Sequence, residues 1–253
     1  MFSDADLTDD GFLGGRLRVW QPRAGYRAAT DPVLLAAAVP AMAGQRVLEL
    51  GCGAGVAVLC LATRVPGLVL TGLERQAAYA DLARRNAARA GVALRVEEAD
   101  LGVRPGPLKG EGFDHVLANP PYYPAGGGTP ARDAGREAAL REETPLAVWL
   151  DAAARRLVPG GWLTLIQAAD RLPTLLAACD GRLGSLCVLP LAPRAGRPAA
   201  RVILRARKGG RAAFRLLAPF VLHEGAAHAR DGDSFTPAAQ AVLRDGAALT
   251  AMI

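Results

Sequence analysis

From residue 46 onward, short apolar runs alternate with longer amphipathic stretches, and this alternation limits the possible folds more than any other feature of the chain. RVLELG (46–51) predicts a buried strand and VAVLCLATR (56–64) a helix. LVLTGLE (68–74) is a second strand, and residues 76–90 are helical, with Tyr79, Leu82 and Ala83 at helical spacing. ALRVEEAD (93–100) and FDHVLANPP (113–121) are the next two strands. A helix over 144–157, a strand over 162–167 and a helix over 172–180 follow. Residues 186–191 and 201–207 supply the last two strands. Strands separated by helices pair in parallel, because the crossover returns the chain to the same end of the sheet. The loop at 193–198 is rich in Pro, Arg and Gly and too short for a helix, so the final pair is predicted antiparallel. The expected class is α/β: a doubly wound, Rossmann-like sheet of seven strands, the last antiparallel. TDPVLLAAAV (30–39) predicts a helix before the first strand, with Thr30 or Asp31 as cap, and residues 236–246 a closing one.

Composition narrows the function. With 51% apolar residues in 253, the chain can bury one core, and wholesale disorder is excluded. MFSDADLTDD is acidic and lacks an apolar h-region, so no secretory signal is expected; a cytoplasmic location and no membrane partner are. Cys52/Cys60 and Cys179/Cys187 fit neither a disulfide framework nor a thiolate metal site, and no metal is expected. The net charge of +6 is local: residues 194–215 hold eight basic side chains and no acidic one, leaving −2 elsewhere. A polyanion or a solvated strand edge would each account for it.

Two motifs carry chemistry. LELGCGAG (48–55) is a strand, a glycine turn and a helix; Gly51, Gly53 and Gly55 let a ligand approach the backbone. The spacing is GxGxG, not the GxGxxG of dinucleotide enzymes. Glu74 ends the second strand, where a carboxylate can accept from two ribose hydroxyls; Asp100 ends the third and can face an adenine edge. LANPPYY (117–123) ends the fourth strand, beside the switch point. Asn119 offers a side-chain carbonyl, Pro120 and Pro121 leave backbone carbonyls outside any ladder, and Tyr122 and Tyr123 offer flat faces. Acceptors beside a stacking ring suit a planar substrate with an exocyclic NH₂. A rigid proline turn is the alternative. The loop at 124–136, rich in Gly and Pro, follows directly, where ligand loops of such sheets sit.

Together these motifs resemble the class I S-adenosylmethionine-dependent methyltransferases, and NPPY those acting on planar amino nitrogens. GYRAATDPVLLAAAVP ahead of the glycine motif, the doubled tyrosine and the closing HEG…FTPAAQAVLRDGAAL look most like the bacterial family that methylates adenine N6 at position 37 of a valine tRNA. The resemblance implies one domain over 1–253: a helical, cofactor-closing segment (1–45) and a Rossmann-like core (46–253). It implies S-adenosylmethionine as cofactor, with Gly51, Gly53 and Gly55 against its methionine part, Glu74 on its ribose, Asp100 on its adenine, and Thr30 and Asp31 closing the methionine end. Asn119 and Pro120 would bind the target amine, followed by Pro121, with Tyr122 stacking on the base. For a tRNA partner, Tyr123, Arg194, Arg197, Arg201 and Lys208 are the expected contacts, with Arg205, Arg207, Arg211 and Arg215 on the same basic segment. The loop after Asp100 departs from the family's pattern. Release-factor glutamine methylation is a rival, but about 45 residues before the glycine motif leave little room for its helical domain. Guanine-N2 methylation of ribosomal RNA and a non-catalytic RNA-binding role on the same scaffold are the others. Monomer and weak dimer both remain open.

Overall fold

The computed structural model describes residues 1–103, 106–124, 141, 142, 144–225 and 234–249. It opens with a hairpin, β1 (Leu7–Phe12) and β2 (Leu17–Pro22), then α1 (Asp31–Ala38). The core runs β3 (Arg46–Leu50), α2 (Val56–Arg64), β4 (Val69–Glu74), α3 (Ala77–Arg89), β5 (Leu94–Glu98) and β6 (Phe113–Ala118). The short β7 (Tyr123–Pro124) and β8 (Arg141–Glu142) pair with each other. Then come α4 (Leu146–Arg156), β9 (Leu157–Ala168), α5 (Leu172–Ala178), β10 (Leu183–Arg194) and β11 (Arg201–Lys208). The end is β12 (Arg215–Leu216), β13 (Phe220–His223) and α6 (Pro237–Leu243). The loop expected to follow the NPPY motif falls mostly on 125–136, outside the described residues.

The main sheet has the order β12-β10-β11-β9-β6-β3-β4-β5, with β13 also on β10. Strands β5, β4, β3, β6 and β9 run parallel, and β11 runs antiparallel between β9 and β10. The doubly wound α/β expectation and the antiparallel last pair hold. The strand number is corrected: nine strands among the described residues, because β12 and β13 extend the edge beside β10. At two and four residues they are too short to show a period.

The strands bury both faces by alternation. Val47, Leu117, Ile166 and Ile203 join α1, α2, α6 and the hairpin in one cluster; Leu48, Val116, Leu165 and Leu204 join α4 and α5 in another. The N-terminal segment is corrected from helical to hairpin plus helix. Leu17, Val19 and Gln21 are buried on one face of β2, and the turn passes through Gly14 and Gly15 at positive φ. Asn86 of α3 pins the hairpin, accepting from the Trp20 N–H at 2.8 Å and donating to the carbonyls of Trp20 and Ala54, both at 3.0 Å. Arg85 and Arg89 cover the Trp20 ring.

Candidate active site

Register brings the motifs together. Leu50 of β3 pairs with both Leu73 of β4 and Ala118 of β6, so Gly51, Glu74 and Asn119 leave the sheet at one level. Strand order reverses on either side of β3, which makes this the switch point. A cavity there is lined by Tyr26, Gly51, Gly53, Glu74, Asp100, Asn119, Pro121 and Trp149, among others.

Glu74 is buried; its Oε2 accepts from the Gly53 N–H at 2.9 Å and its Oε1 from the Gln76 N–H at 2.8 Å. Burial pushes its carboxyl above the usual range, against the pull of those N–H groups. The Arg75 N–H also bonds this carboxylate, which still has acceptor capacity left on the cavity it lines. Asp100 lines the same cavity, with Oδ1 accepting from the Gly102 N–H at 2.7 Å. Gly51 and Gly53 line it from beneath. A Cβ on Gly51 would stand 2.6 Å from the Trp149 ring, so packing demands glycine there as well as its positive φ. Gly55 is placed differently: it begins α2, and a Cβ there would sit 3.4 Å from that of Ala83.

The NPPY loop is held at several points. Asn119 Nδ2 donates to the Tyr26 hydroxyl at 3.3 Å, which leaves its carbonyl oxygen as an acceptor. Buried Gln167, two residues beyond the Ala118↔Leu165 pair, donates to the carbonyls of Pro121 at 3.1 Å and Pro120 at 3.4 Å. Tyr122 donates its hydroxyl to Asp31 Oδ2 at 2.6 Å. The side chain of Tyr123 lies outside the described residues.

Several expected placements change. Thr30 lines a separate groove with Phe12, Val33 and Leu243, and its side chain does not cap α1. Asp31 is drawn to Tyr122 and to Arg201, whose Nε lies 2.6 Å away. Arg194 is buried and donates to the carbonyls of Glu224 and Gly225, so it is not presented to a phosphate. Lys208 donates to the Leu157 carbonyl at 2.6 Å. Of the four basic residues expected on RNA, Arg197 alone is exposed.

Four residues of the site went unread in the sequence. Tyr26, Trp149 and Gln167 are single polar or aromatic positions without a spacing signal. Glu49, between the apolar residues of LELG, is buried beside Gly51, Gly53, Tyr26 and Asn119, and accepts from the Val58 N–H at 2.9 Å. A charged residue inside an apolar strand was the available signal. Among the described residues no group of three or more His, Cys, Asp and Glu gathers as for a metal, and no helix is long and apolar enough to cross a membrane.

The model of the methyltransferase small domain family matches residues 29–176, more than half of the chain. The chain belongs to this family. As a whole this methyltransferase is 31% identical to the tRNA1(Val) (adenine(37)-N6)-methyltransferase of Dickeya chrysanthemi, over 94% of each chain. A solved structure from Agrobacterium tumefaciens, described as a predicted O-methyltransferase, is 31% identical with a TM-score of 0.70, covering 86% of this chain and 97% of the other. The Thermus thermophilus 16S rRNA N2 G1207 methyltransferase, solved with AdoMet and guanosine, shares the fold at 21% identity and a TM-score of 0.56, covering 80% of this chain and 50% of the other.

Proposed function

We propose that this methyltransferase transfers the methyl group of S-adenosylmethionine to N6 of adenosine 37 in a valine tRNA. The Asn119 amide carries the reading: with its nitrogen on Tyr26, its oxygen is the acceptor offered beside the cavity. That oxygen and the Pro120 carbonyl match the two protons of an exocyclic amine. A hydroxyl acceptor has one proton and asks for a base instead. The name of the Dickeya relative supports the tRNA substrate, and the NPPY loop sets this site apart from an oxygen-methylating one.

The residues present fit the cofactor. Glu74 would hold the ribose hydroxyls, Asp100 the adenine edge, and Gly51 and Gly53 would pass under the methionine part. Glu49, in place of Thr30 and Asp31, would face its ammonium. S-adenosylmethionine, when bound, supplies a sulfonium methyl. The N6 lone pair is conjugated with the ring and weakly nucleophilic, so the chain's contribution is alignment, worth about 7–11 kcal/mol in favourable cases. Asn119 and Pro120 polarise the amine as it gains positive charge, and the surplus proton leaves to solvent once the methyl is on nitrogen. Tyr122 offers a stacking face, worth roughly 1–3 kcal/mol per base. A base in an anticodon loop costs little to extrude. With tRNA as partner, the enzyme works in the cytoplasm.

The test uses purified protein, methyl-labelled S-adenosylmethionine and unmodified total tRNA, digested to nucleosides for mass spectrometry. Labelled N6-methyladenosine is expected. Label on a ribose oxygen would overturn the assignment, as would label on guanine N2 or on a release factor in parallel reactions given ribosomal RNA or a release factor in place of tRNA.

A further inference from the structure

Tyr122 is held from two sides. Its hydroxyl meets Asp31, the first residue of α1, and Arg201, the first residue of β11, lies 2.6 Å from the same carboxylate oxygen. The Arg201 guanidinium also stands 5.8 Å from the centre of the Tyr122 ring, within cation–π range. The Asp31 side chain is only 13% exposed. The Arg201 side chain keeps 38% of its surface, so the desolvation cost of the pair falls mainly on the carboxylate.

We infer that Asp31 and Arg201 are positioning residues that lock the Tyr122 ring, the guanidinium over one face and the other face presented to the acceptor base. The inference rests on the reading above that a planar base enters the site. It takes Asp31 away from the methionine end and Arg201 away from RNA phosphates. A ring clamped at its hydroxyl stacks with no loss of side-chain freedom on binding, which is where preorganised contacts gain affinity and rate.

The variants are Asp31→Asn, Arg201→Gln, Arg201→Lys and Tyr122→Phe, assayed on total tRNA. Asp31→Asn and Arg201→Gln should each lower kcat by about 10–100-fold, as a displaced stacking platform would. Affinity for S-adenosylmethionine, measured by calorimetry, should be unchanged. Arg201→Lys should recover part of the loss, because it restores the pair without the planar face. The slope of log RNA affinity against log salt should not move in Arg201→Gln; a phosphate contact would reduce it by about 0.7–0.9. Such a reduction, or weakened cofactor binding with kcat preserved in Asp31→Asn, would overturn the inference. A thermal double-mutant cycle of Tyr122→Phe with Asp31→Asn reads the lock without any acceptor. The double variant should melt with the larger single shift, and additive shifts would overturn the lock. Absence of N6-methyladenosine with the unaltered protein would instead remove the proposed substrate.

Discussion

Glu49 shows how one buried side chain couples the site to pH. Burial raises its carboxyl from the ordinary 4.5 to about 8, only partly offset by the Val58 N–H. The folded chain therefore keeps a proton that the unfolded chain gives up. Its contribution to stability is fully present below pH 4.5, falls as pH rises, and is lost by about pH 8. One proton's difference amounts to about 1.4 kcal/mol per pH unit within that window. Glu49→Gln keeps an acceptor for Val58 and should remove this slope. Thermal melts of the ligand-free protein should show the variant gaining on the parent between pH 5 and pH 8; parallel curves would place the ionisation elsewhere. Asn119→Ala tests the acceptor: turnover should fall by at least about 100-fold while S-adenosylmethionine still binds, as for loss of a group that acts on the transition state. Glu74 and Asn119 were legible because each is a polar residue closing an apolar strand, and Asp100 because it follows the end of the next strand in the series. Tyr26, Trp149 and Gln167 were not, because what matters is their reach across the fold to residues such as Asn119, Gly51 and Pro121.

At the scale of elements, the hairpin carries Tyr26 to the cavity. Gln21 donates to the Ala28 carbonyl at 3.2 Å and accepts its N–H at 2.7 Å, which closes the loop that holds Tyr26. Asn86 ties that hairpin to α3. Asn86→Ala leaves buried groups of Trp20 and Ala54 without their partner, so a loss of about 2–4 kcal/mol is expected. Urea unfolding should show a lower midpoint with an unchanged m-value. The arginines of β11 make a different point. Strand alternation puts Arg201, Arg205 and Arg207 on one face, as period two requires. That face is not bare: Arg205 and Arg207 lie over Trp162, at 4.5 and 5.6 Å from its ring, and Arg201 over Tyr122. The pattern shows which face, and the neighbouring strand decides what it meets.

For the whole molecule, the basic segment divides into inward and outward charges. Arg194 is spent on carbonyls and Arg201 on Asp31, whereas Arg197, Arg211 and Arg215 are exposed. Replacing those three with Ala should weaken tRNA binding and flatten its log–log salt slope by about 2–3. An unmoved slope would send the RNA to another surface. By itself the sequence determined the strand–helix alternation, the parallel sheet with its antiparallel partner strand, and the loops that carry the chemistry. These follow from local periodicity and from turn residues whose backbone demands are local. Only the tertiary structure decided which long-range partners complete the site: Tyr26 on Asn119, Gln167 behind the prolines, Asp31 and Arg201 on Tyr122, and Arg194 turned inward. Such contacts join residues tens of positions apart through sheet register and packing, and no local pattern of residue types encodes them.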